Sequence, residues 1–405
     1  MIQEISIGNF KSIKELKLEL GQFNVLIGEN GCGKTNILEA VAFGGAAAAG
    51  KLDNEFLSSR GIRVTNPETM RAAFENGTGS QDIYLKFIVD QNLPISFQLK
   101  NENKPYSGWE ITDRDLSELE LITSFSQNLK EQIEKQIENI SDPRVLREAA
   151  LFLEKAEQLS KRRTGKDKES RDAGNGRASY LFNQFKELTQ FIIYSPENST
   201  LRIFEQEGQV LPLGIKGEGL FKLLKNLLLA KDKKPIREIK KNLQLMDWFE
   251  DFELPKSSAP GEFILQIKDR FLTSRLNYFD QRSANEGFLF LLFYLCLFIS
   301  RDTPEFFAID NVEASFNPKL CVEVSKMLIR LAKEKKKQVI VTTQNPSILD
   351  GINLHDPGER LFVVKRNTLG HTVATRITAK PDSPPAVKLS EAWTRGYIGG
   401  LPKNF

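Results

Sequence analysis

The chain has 405 residues, of which 40% are hydrophobic and 27% charged, a composition that predicts a globular protein with one large or two ordinary domains. Its 56 basic and 53 acidic residues give a net charge of +3. That balance gives no overall sign of nucleic-acid binding, although it allows a local basic face.

The histidine and cysteine content excludes several classes of function. Two histidines, His355 and His371, argue against an HNH-type nuclease, a histidine-rich metal site and a Ser-His-Asp hydrolase. The three cysteines lack metal-type spacing and suit a reducing compartment. The N-terminus has no basic segment followed by an apolar core, so we expect a cytoplasmic protein without a signal peptide.

The first part of the chain is rich in strand-forming segments, namely residues 2–7, 16–27, 83–89, 95–99 and 109–112. The segments 83–89 and 95–99 predict a hairpin, and the segment at 109–112 predicts a third strand beside it. We therefore expect an antiparallel β subdomain.

Residues 115–189 predict a helical insertion. Apolar side chains recur at helical spacing from Phe125 to Ile140, and Asp142-Pro143 then starts a second helix, so the pair predicts a helical hairpin. Residues 162–179 are polar and charged, which predicts a flexible loop, interpreted as a solvated linker rather than a nucleic-acid contact.

The second half alternates between helix and strand patterns. The predicted helices are 219–230, 236–249, 287–299 and 320–335, and the predicted strands are 191–194, 263–267, 270–276, 306–309 and 339–343. This alternation is typical of an α/β fold with a mostly parallel, doubly wound sheet. Residues 361–365 and 372–377 predict a late hairpin. The apolar run 288–299 has 12 uncharged residues, fewer than the roughly 20 that span a membrane, so it predicts a buried helix.

Residues 28–35 (GENGCGKT) fit the phosphate-binding loop pattern G-x-x-x-x-G-K-[ST]. A predicted strand at 23–27 precedes the loop and a predicted helix follows it, as the motif requires. Glycines allow backbone N–H groups to surround a phosphate, Lys34 can reach the β- and γ-phosphates, and Thr35 can ligate Mg²⁺. The predicted nucleotide-binding residues of this loop are Asn30, Gly31, Cys32, Gly33, Lys34, Thr35 and Asn36.

A carboxylate ends the apolar strand at 306–309. Asp310 stands where nucleotide hydrolases place the acid that holds Mg²⁺ through water, beside the threonine of the loop. The sequence therefore predicts Thr35 and Asp310 as the metal site.

Residues 310–317 (DNVEASFN) resemble the D-E-x-[DE]-A-x-L-[DNH] run of ABC-type ATPases of the SMC and RecF branch. In that branch the run holds the magnesium acid, the catalytic glutamate and a D-loop that crosses a dimer interface. Residues 339–346 resemble the last strand of the branch, which carries a switch histidine. Residues 9–12 (NFKS) resemble its nucleotide-contacting segment, which implies that Lys11 and Ser12 bind ATP.

Residues 282–286 resemble the L-S-G-G-[QE] signature of the same branch. Ser283 and Glu286 match, while Asn285 replaces a glycine. The resemblance implies that Ser283, Ala284, Asn285 and Glu286 face the nucleotide of a second copy.

Two departures from this pattern affect catalysis. Asn311 stands where the branch has its catalytic glutamate, and Gln344 stands where it has the switch histidine. Because an amide cannot accept a proton from the attacking water, we expect Mg²⁺ and ATP to bind and hydrolysis to be slow. Glu313 can replace the missing base only along a different backbone path, and a divergent site with its base elsewhere stays an alternative. The predicted catalytic set is Lys34, Asp310, Asn311, Glu313 and Gln344.

Three further stretches, at 57–63, 194–198 and 389–402, resemble compact ATPases of the overcoming-lysogenisation-defect group, which occur in bacterial anti-phage systems such as Septu and Gabija. The resemblance covers both ends and the final third of the chain. It implies an ABC-type ATPase domain in two segments, 1–114 and 190–405, and a homodimer formed on ATP. It also implies a separate nuclease or toxin subunit, with nucleic acid reached through the complex.

Two alternatives remain open from the sequence. One is a RecF-like DNA-repair ATPase that binds DNA directly, and the other is an assembly module that binds nucleotide without turnover. The lysines at 231–234 and 333–337 are interpreted as solvated helix faces, and Arg60 of the 57–63 stretch as structural.

Overall fold

The computed structural model describes residues 1–74, 81–89, 93–104, 107–115, 185–203, 212–254, 264–273, 276, 278–379 and 387–401. Nearly all of the predicted helical insertion, with its loop at 162–179, lies outside the described residues. Two units are distinguished, and each is described by itself. The antiparallel unit comprises Met1–Leu20, Ala40–Leu57 and Val64–Gln190, and the parallel-sheet unit comprises Gly21–Glu39, Ser58–Arg63 and Phe191–Phe405.

The strands in chain order are β1 (Ile2–Phe10), β2 (Ile13–Glu19), β3 (Phe23–Ile27), β4 (Ile83–Val89), β5 (Leu93–Lys100), β6 (Glu110–Asp115), β7 (Ile193–Tyr194), β8 (Phe249–Glu253), β9 (Gln266–Asp269), β10 (Phe306–Ile309), β11 (Gln338–Thr342), β12 (Glu359–Arg366) and β13 (Thr372–Ile377). The helices are α1 (Lys34–Ala48), α2 (Asn54–Ser59), α3 (Pro67–Met70), α4 (Leu220–Leu229), α5 (Lys234–Leu243), α6 (Glu286–Ile299), α7 (Pro318–Glu334) and α8 (Leu389–Thr394). Short 3₁₀ turns lie at Thr200–Arg202 and Pro346–Gly351.

The antiparallel unit is built on a five-stranded sheet in the order β2-β1-β4-β5-β6. Along β4, buried residues alternate with more exposed ones, the pattern of a sheet with one face on a core. Gly44 of α1 allows close packing against this core, because a Cβ there would lie 2.3 Å from Cζ of the buried Phe87. The predicted hairpin and third strand are confirmed.

The parallel-sheet unit is built on six strands in the order β13-β12-β3-β11-β10-β7. All neighbouring pairs are parallel except the β12–β13 hairpin. The registers pair Leu26 with Thr342, and Ile309 with both Val341 and Tyr194. The carboxyl ends of β3, β11, β10 and β7 therefore meet at one edge, the place where α/β sheets bind ligands.

The apolar run 288–299 forms most of α6, and every residue in it is buried in the core of this unit. The predicted core helix is confirmed. Within the described residues, no helix is both long and apolar enough to cross a membrane.

Three predicted elements are wrong in their bounds. The strand expected at 16–27 is two strands, because the Asn24 side chain bonds both backbone groups of Gly21, at 2.7 and 3.0 Å, and fixes a turn before β3. The helix expected at 236–249 ends at Leu243, and Phe249 begins β8. In place of the strand expected at 270–276, residues 270–272 form a turn after β9, in which the Leu272 N–H donates to the Asp269 carbonyl at 3.1 Å.

A buried lysine precedes β11. The Lys337 ammonium donates to the carbonyls of Leu297 at 2.9 Å and of Thr303 and Pro304 at 3.3 Å, so it binds the carboxyl end of α6. Burial lowers the pKa of Lys337 to about 7, against the opposing charges of Glu305 and Asp302. Folding therefore favours the neutral amine.

The lowered pKa of Lys337 predicts that the free energy of unfolding depends on pH. Between pH 7 and the ordinary lysine value, only the unfolded chain holds the proton, so the free energy of unfolding rises with pH in that window. The rise attributable to this group is at most about 1.4 kcal/mol per pH unit. Denaturant unfolding between pH 6.5 and 9.5 gives the free energy of unfolding at each pH. We expect this free energy to rise with pH in the wild type relative to Lys337→Met. The same pH dependence in both proteins would contradict the shifted pKa.

Candidate nucleotide-binding site

The phosphate loop leaves the sheet at the end of β3 with backbone angles that need glycine. Gly28, Gly31 and Gly33 have φ values of +148°, +75° and +107°. A Cβ at Gly28 would lie 2.1 Å from the Val364 carbonyl oxygen, so any side chain there would collide with β12. The loop geometry thus excludes larger residues and turns its backbone into a cradle for an anion.

Lys34, the first residue of α1, extends into this cradle. Its ammonium donates to the carbonyls of Gly28 at 2.7 Å and Glu29 at 3.0 Å, and the residue is 7% exposed. The loop therefore holds one positive charge at its centre, next to the amino end of a 15-residue helix. Both features favour a bound phosphate.

The β12–β13 hairpin donates hydrogen bonds to two backbone carbonyls of the phosphate loop. Arg366 Nε donates to the Gly31 carbonyl at 2.9 Å, and the Thr372 hydroxyl donates to the Cys32 carbonyl at 2.8 Å. Burial raises the pKa of the Cys32 thiol despite the nearby charge of Lys34, so this thiol stays protonated near neutral pH. Sequence reasoning predicted the hairpin but missed this role, since nothing in its pattern shows what it packs against.

The two residues predicted as the metal site, Thr35 and Asp310, are in direct contact. The Thr35 hydroxyl donates to Asp310 Oδ2 at 3.0 Å, across 275 positions of sequence. The Thr342 hydroxyl, at the end of β11, donates to Asp310 Oδ1 and accepts from the Asn311 N–H at 2.9 Å. Each oxygen of the Asp310 carboxylate thus accepts one threonine hydroxyl, and the contact from Thr342 was not predicted from the sequence.

The donor set at this site fits Mg²⁺. Hydroxyl and carboxylate oxygens are the protein ligands that Mg²⁺ prefers, and it usually takes the rest from phosphates and water. Within the described ranges, no three His, Cys, Asp or Glu side chains are grouped to hold a metal by themselves. A metal at Thr35 and Asp310 would need the nucleotide to complete its shell.

The two amides that replace catalytic side chains are both exposed at this edge. Asn311 has φ +56°, a left-handed conformation that asparagine tolerates better than glutamate. The backbone N–H of Gln344 donates to Glu313 Oε1 at 2.7 Å, and Glu313 Oε2 is buried without a hydrogen-bond partner in the described part of the chain. Glu313 is therefore turned toward the Gln344 backbone in this structure.

The signature segment precedes and begins α6. The Ser283 N–H and hydroxyl both bond Asp280 Oδ1, at 3.0 and 3.1 Å, which leaves Ser283 on the surface. Asn285 accepts from the Phe288 N–H at 2.8 Å and caps α6, so this departure from glycine has a structural role. Glu286 accepts from the Ser315 hydroxyl, which joins the signature segment to the D-loop. Ala284 is buried in the core of the unit.

Lys11 and Ser12 lie in the antiparallel unit, at the turn between β1 and β2. Lys11 has φ +49°, its N–H donates to the Met70 carbonyl at 2.9 Å, and its ammonium lies 5.6 Å from the Phe10 ring centroid. Ser12 is buried. Their contact with a nucleotide stays a prediction.

The structure adds two charged residues at this edge that the motifs missed. Arg63 binds Glu39 and also donates to the Asn36 side-chain oxygen at 3.1 Å, next to Thr35. The available signal was the 57–63 stretch, in which Arg60 was interpreted as structural and Arg63 was given no role.

The phosphate loop, the strand-terminal Asp310 and the parallel sheet together define an ABC-type P-loop ATPase fold. Residues 23–350 match a family described as an AAA domain, putative AbiEii toxin of type IV toxin–antitoxin systems. The chain belongs to this AAA ATPase family.

Two solved structures of Smc heads are similar to this chain. The structure is similar to a Smc head bound to the C-terminal winged-helix domain of ScpA, with a TM-score of 0.50 at 13% identity, covering 94% of this chain and 98% of the other. A Smc head domain from Pyrococcus furiosus, bound to the C-terminal domain of ScpA, gives 0.48 at 12% identity, covering 93% and 96%.

A curated relative, the uncharacterized protein MJECL10 of Methanocaldococcus jannaschii, is 34% identical over 117 residues. The match covers 27% of this chain and about half, 52%, of that protein.

Proposed function

We propose that the chain is the ATP-binding subunit of a prokaryotic anti-phage defence complex, which dimerises on ATP, hydrolyses it slowly and controls a separate effector such as a nuclease. The observation that carries the nucleotide part of this proposal is the placement of Asp310 between Thr35 and Thr342, beside the phosphate loop. The family supports ATP as the nucleotide. The defence role rests on the sequence resemblance at 57–63, 194–198 and 389–402.

Slow hydrolysis follows from the side chains that face the expected γ-phosphate. Asn311 cannot accept a proton, and Glu313 is held by the Gln344 backbone at 2.7 Å. The side-chain amides of Asn311 and Gln344 can still orient a water molecule, as a glutamine does in some GTPases. Loss of a general base commonly costs about 10²–10⁴-fold in rate.

Turnover measurements test this part. We expect the wild type to hydrolyse ATP more slowly than about 1 s⁻¹, an ordinary enzyme value. Asn311→Glu should raise the rate at least tenfold, because it restores a carboxylate beside Asp310, even though glutamate fits the left-handed backbone less well. Lys34→Ala serves as the control for contaminating ATPases. A fast wild type, or an Asn311→Glu variant that is no faster, contradicts the assignment.

Dimer formation is supported by the position of Ser283, which is exposed ahead of a capped helix and tied through Glu286 to the D-loop. In the proposed dimer this surface faces the nucleotide of the second copy.

Light scattering with and without Mg²⁺ and ATP tests the dimer. We expect the mass to rise from 45.9 kDa toward twice that value when both are present. Ser283→Arg should prevent the rise, while Leu229→Arg, at an exposed position at the end of α4, should not. A molar mass that is the same with and without Mg²⁺ and ATP, or a Ser283→Arg variant that still dimerises, would contradict the proposed dimer.

The assignment of the effector to a second subunit rests on the same resemblance, which implies a separate nuclease or toxin subunit. A tagged chain purified from its native host should carry a nuclease or toxin in fixed ratio. Tight, salt-dependent DNA binding by the purified chain alone would instead favour the RecF-like alternative.

A further inference from the structure

Arg63 lies at the surface of the parallel-sheet unit, with 64% of its side chain exposed, yet its orientation is fixed. Arg63 Nε donates to Glu39 Oε1 at 2.7 Å, and Nη2 approaches Oε2 of the same carboxylate at 3.4 Å. The Arg63 backbone N–H adds a third bond to Glu39 Oε1 at 3.0 Å. Such a bidentate contact with a carboxylate holds the guanidinium in one plane.

The partner of Arg63 belongs to the phosphate-loop helix. Glu39 lies on α1, and its side chain is 0% exposed. A buried carboxylate is costly unless it is paired, and Arg63 supplies Glu39 with a charged partner. Since α1 begins at Lys34, this ion pair fixes Arg63 to the same rigid element that carries the loop lysine and Thr35.

A chain of contacts connects Arg63 with the metal acid. Arg63 Nη2 donates to Asn36 Oδ1 at 3.1 Å, and the neighbouring Thr35 donates to Asp310 at 3.0 Å. The hydrogen bond to Glu39 raises the pKa of Arg63, and the negative charges of Glu39 and Asp310 raise it further. The guanidinium therefore stays charged and lies on the side of the loop where the metal would bind.

In nucleotide hydrolases, Mg²⁺ bridges the β- and γ-phosphates. A fixed cation on the metal side of the loop is thus nearer the terminal phosphate than the nucleoside. We propose that Arg63 contacts the γ-phosphate of a bound nucleoside triphosphate and makes the site prefer triphosphate to diphosphate. This inference rests on the proposed ATP binding. The competing reading is an ion pair that only ties Arg63 to α1.

Calorimetric titration of the wild type, Arg63→Ala and Arg330→Ala with Mg²⁺–AMP-PNP and with Mg²⁺–ADP separates the two readings. Arg330 is a matched control, because it also binds one glutamate, Glu334, and one asparagine, Asn242, in the same unit. We expect Arg63→Ala to lose about 10- to 100-fold in affinity for the triphosphate, the range of a lost charge-assisted hydrogen bond. Its affinity for ADP should change by less than about threefold, and Arg330→Ala should resemble the wild type for both.

Three results of the titration overturn the inference. If Arg63→Ala loses equal affinity for both nucleotides, or none for either, the arginine is not a γ-phosphate contact, while the proposed function stands. A wild type that binds neither nucleotide overturns the proposed function and the inference together.

A second measurement needs no variant, in case Arg63→Ala does not fold. Phenylglyoxal modifies accessible arginines, and peptide mass spectrometry locates the product. Mg²⁺–AMP-PNP should protect Arg63 at least several-fold more than Mg²⁺–ADP does, while labelling of Arg330 stays constant. Equal labelling of Arg63 with both nucleotides would refute the contact.

Discussion

The structure of the site depends on one carboxylate, Asp310, which receives hydroxyl hydrogen bonds from Thr35 on one side and Thr342 on the other. These three residues come from α1 and from the carboxyl ends of two adjacent parallel strands. Their meeting requires the order β3-β11-β10 and its register, in which Leu26 pairs with Thr342 and Val341 pairs with Ile309. A shift of one residue in either pairing would turn one of these side chains to the other face of the sheet. The hydrophobic strands thus serve the site by fixing register.

Around this carboxylate, several contacts connect the nucleotide edge with the surface proposed to meet a second copy. Asn311 shares the Thr342 hydroxyl, the Gln344 backbone binds Glu313, and Ser315 binds Glu286 at the start of α6. The D-loop is therefore hydrogen-bonded both to the switch segment and to the signature helix. A change in Glu313 on nucleotide binding would reach the switch segment by direct contact, and a change in Ser315 would reach the signature helix. This arrangement suits a protein in which ATP occupancy controls assembly more than it drives rapid turnover.

The features that can be recognised in the sequence are those whose chemistry is local. The phosphate loop, Asp310 and the core helix at 288–299 are recognisable because glycine spacing, a strand-terminal acid and an uncharged run each have one strong physical reading. The bounds that were wrong depended on distant partners. Asn24 folds back on Gly21 and divides a continuous β pattern in two, and nothing in the hydrophobic periodicity shows this. Thr342, Arg63 and Glu39 were missed for the same reason, since their roles arise from pairing across the fold.

The most direct test of the account is the Mg²⁺ dependence of nucleotide binding in Asp310→Asn. The substitution keeps the shape of the side chain and one acceptor oxygen for the two threonine hydroxyls, but it removes the negative charge proposed to hold the metal. Titration of ATP with and without Mg²⁺ should show that the wild type binds more tightly with the metal, by at least tenfold. Asp310→Asn should bind with the same weak affinity in both conditions. If the variant gains as much from Mg²⁺ as the wild type does, Asp310 is not the metal acid and the account is wrong.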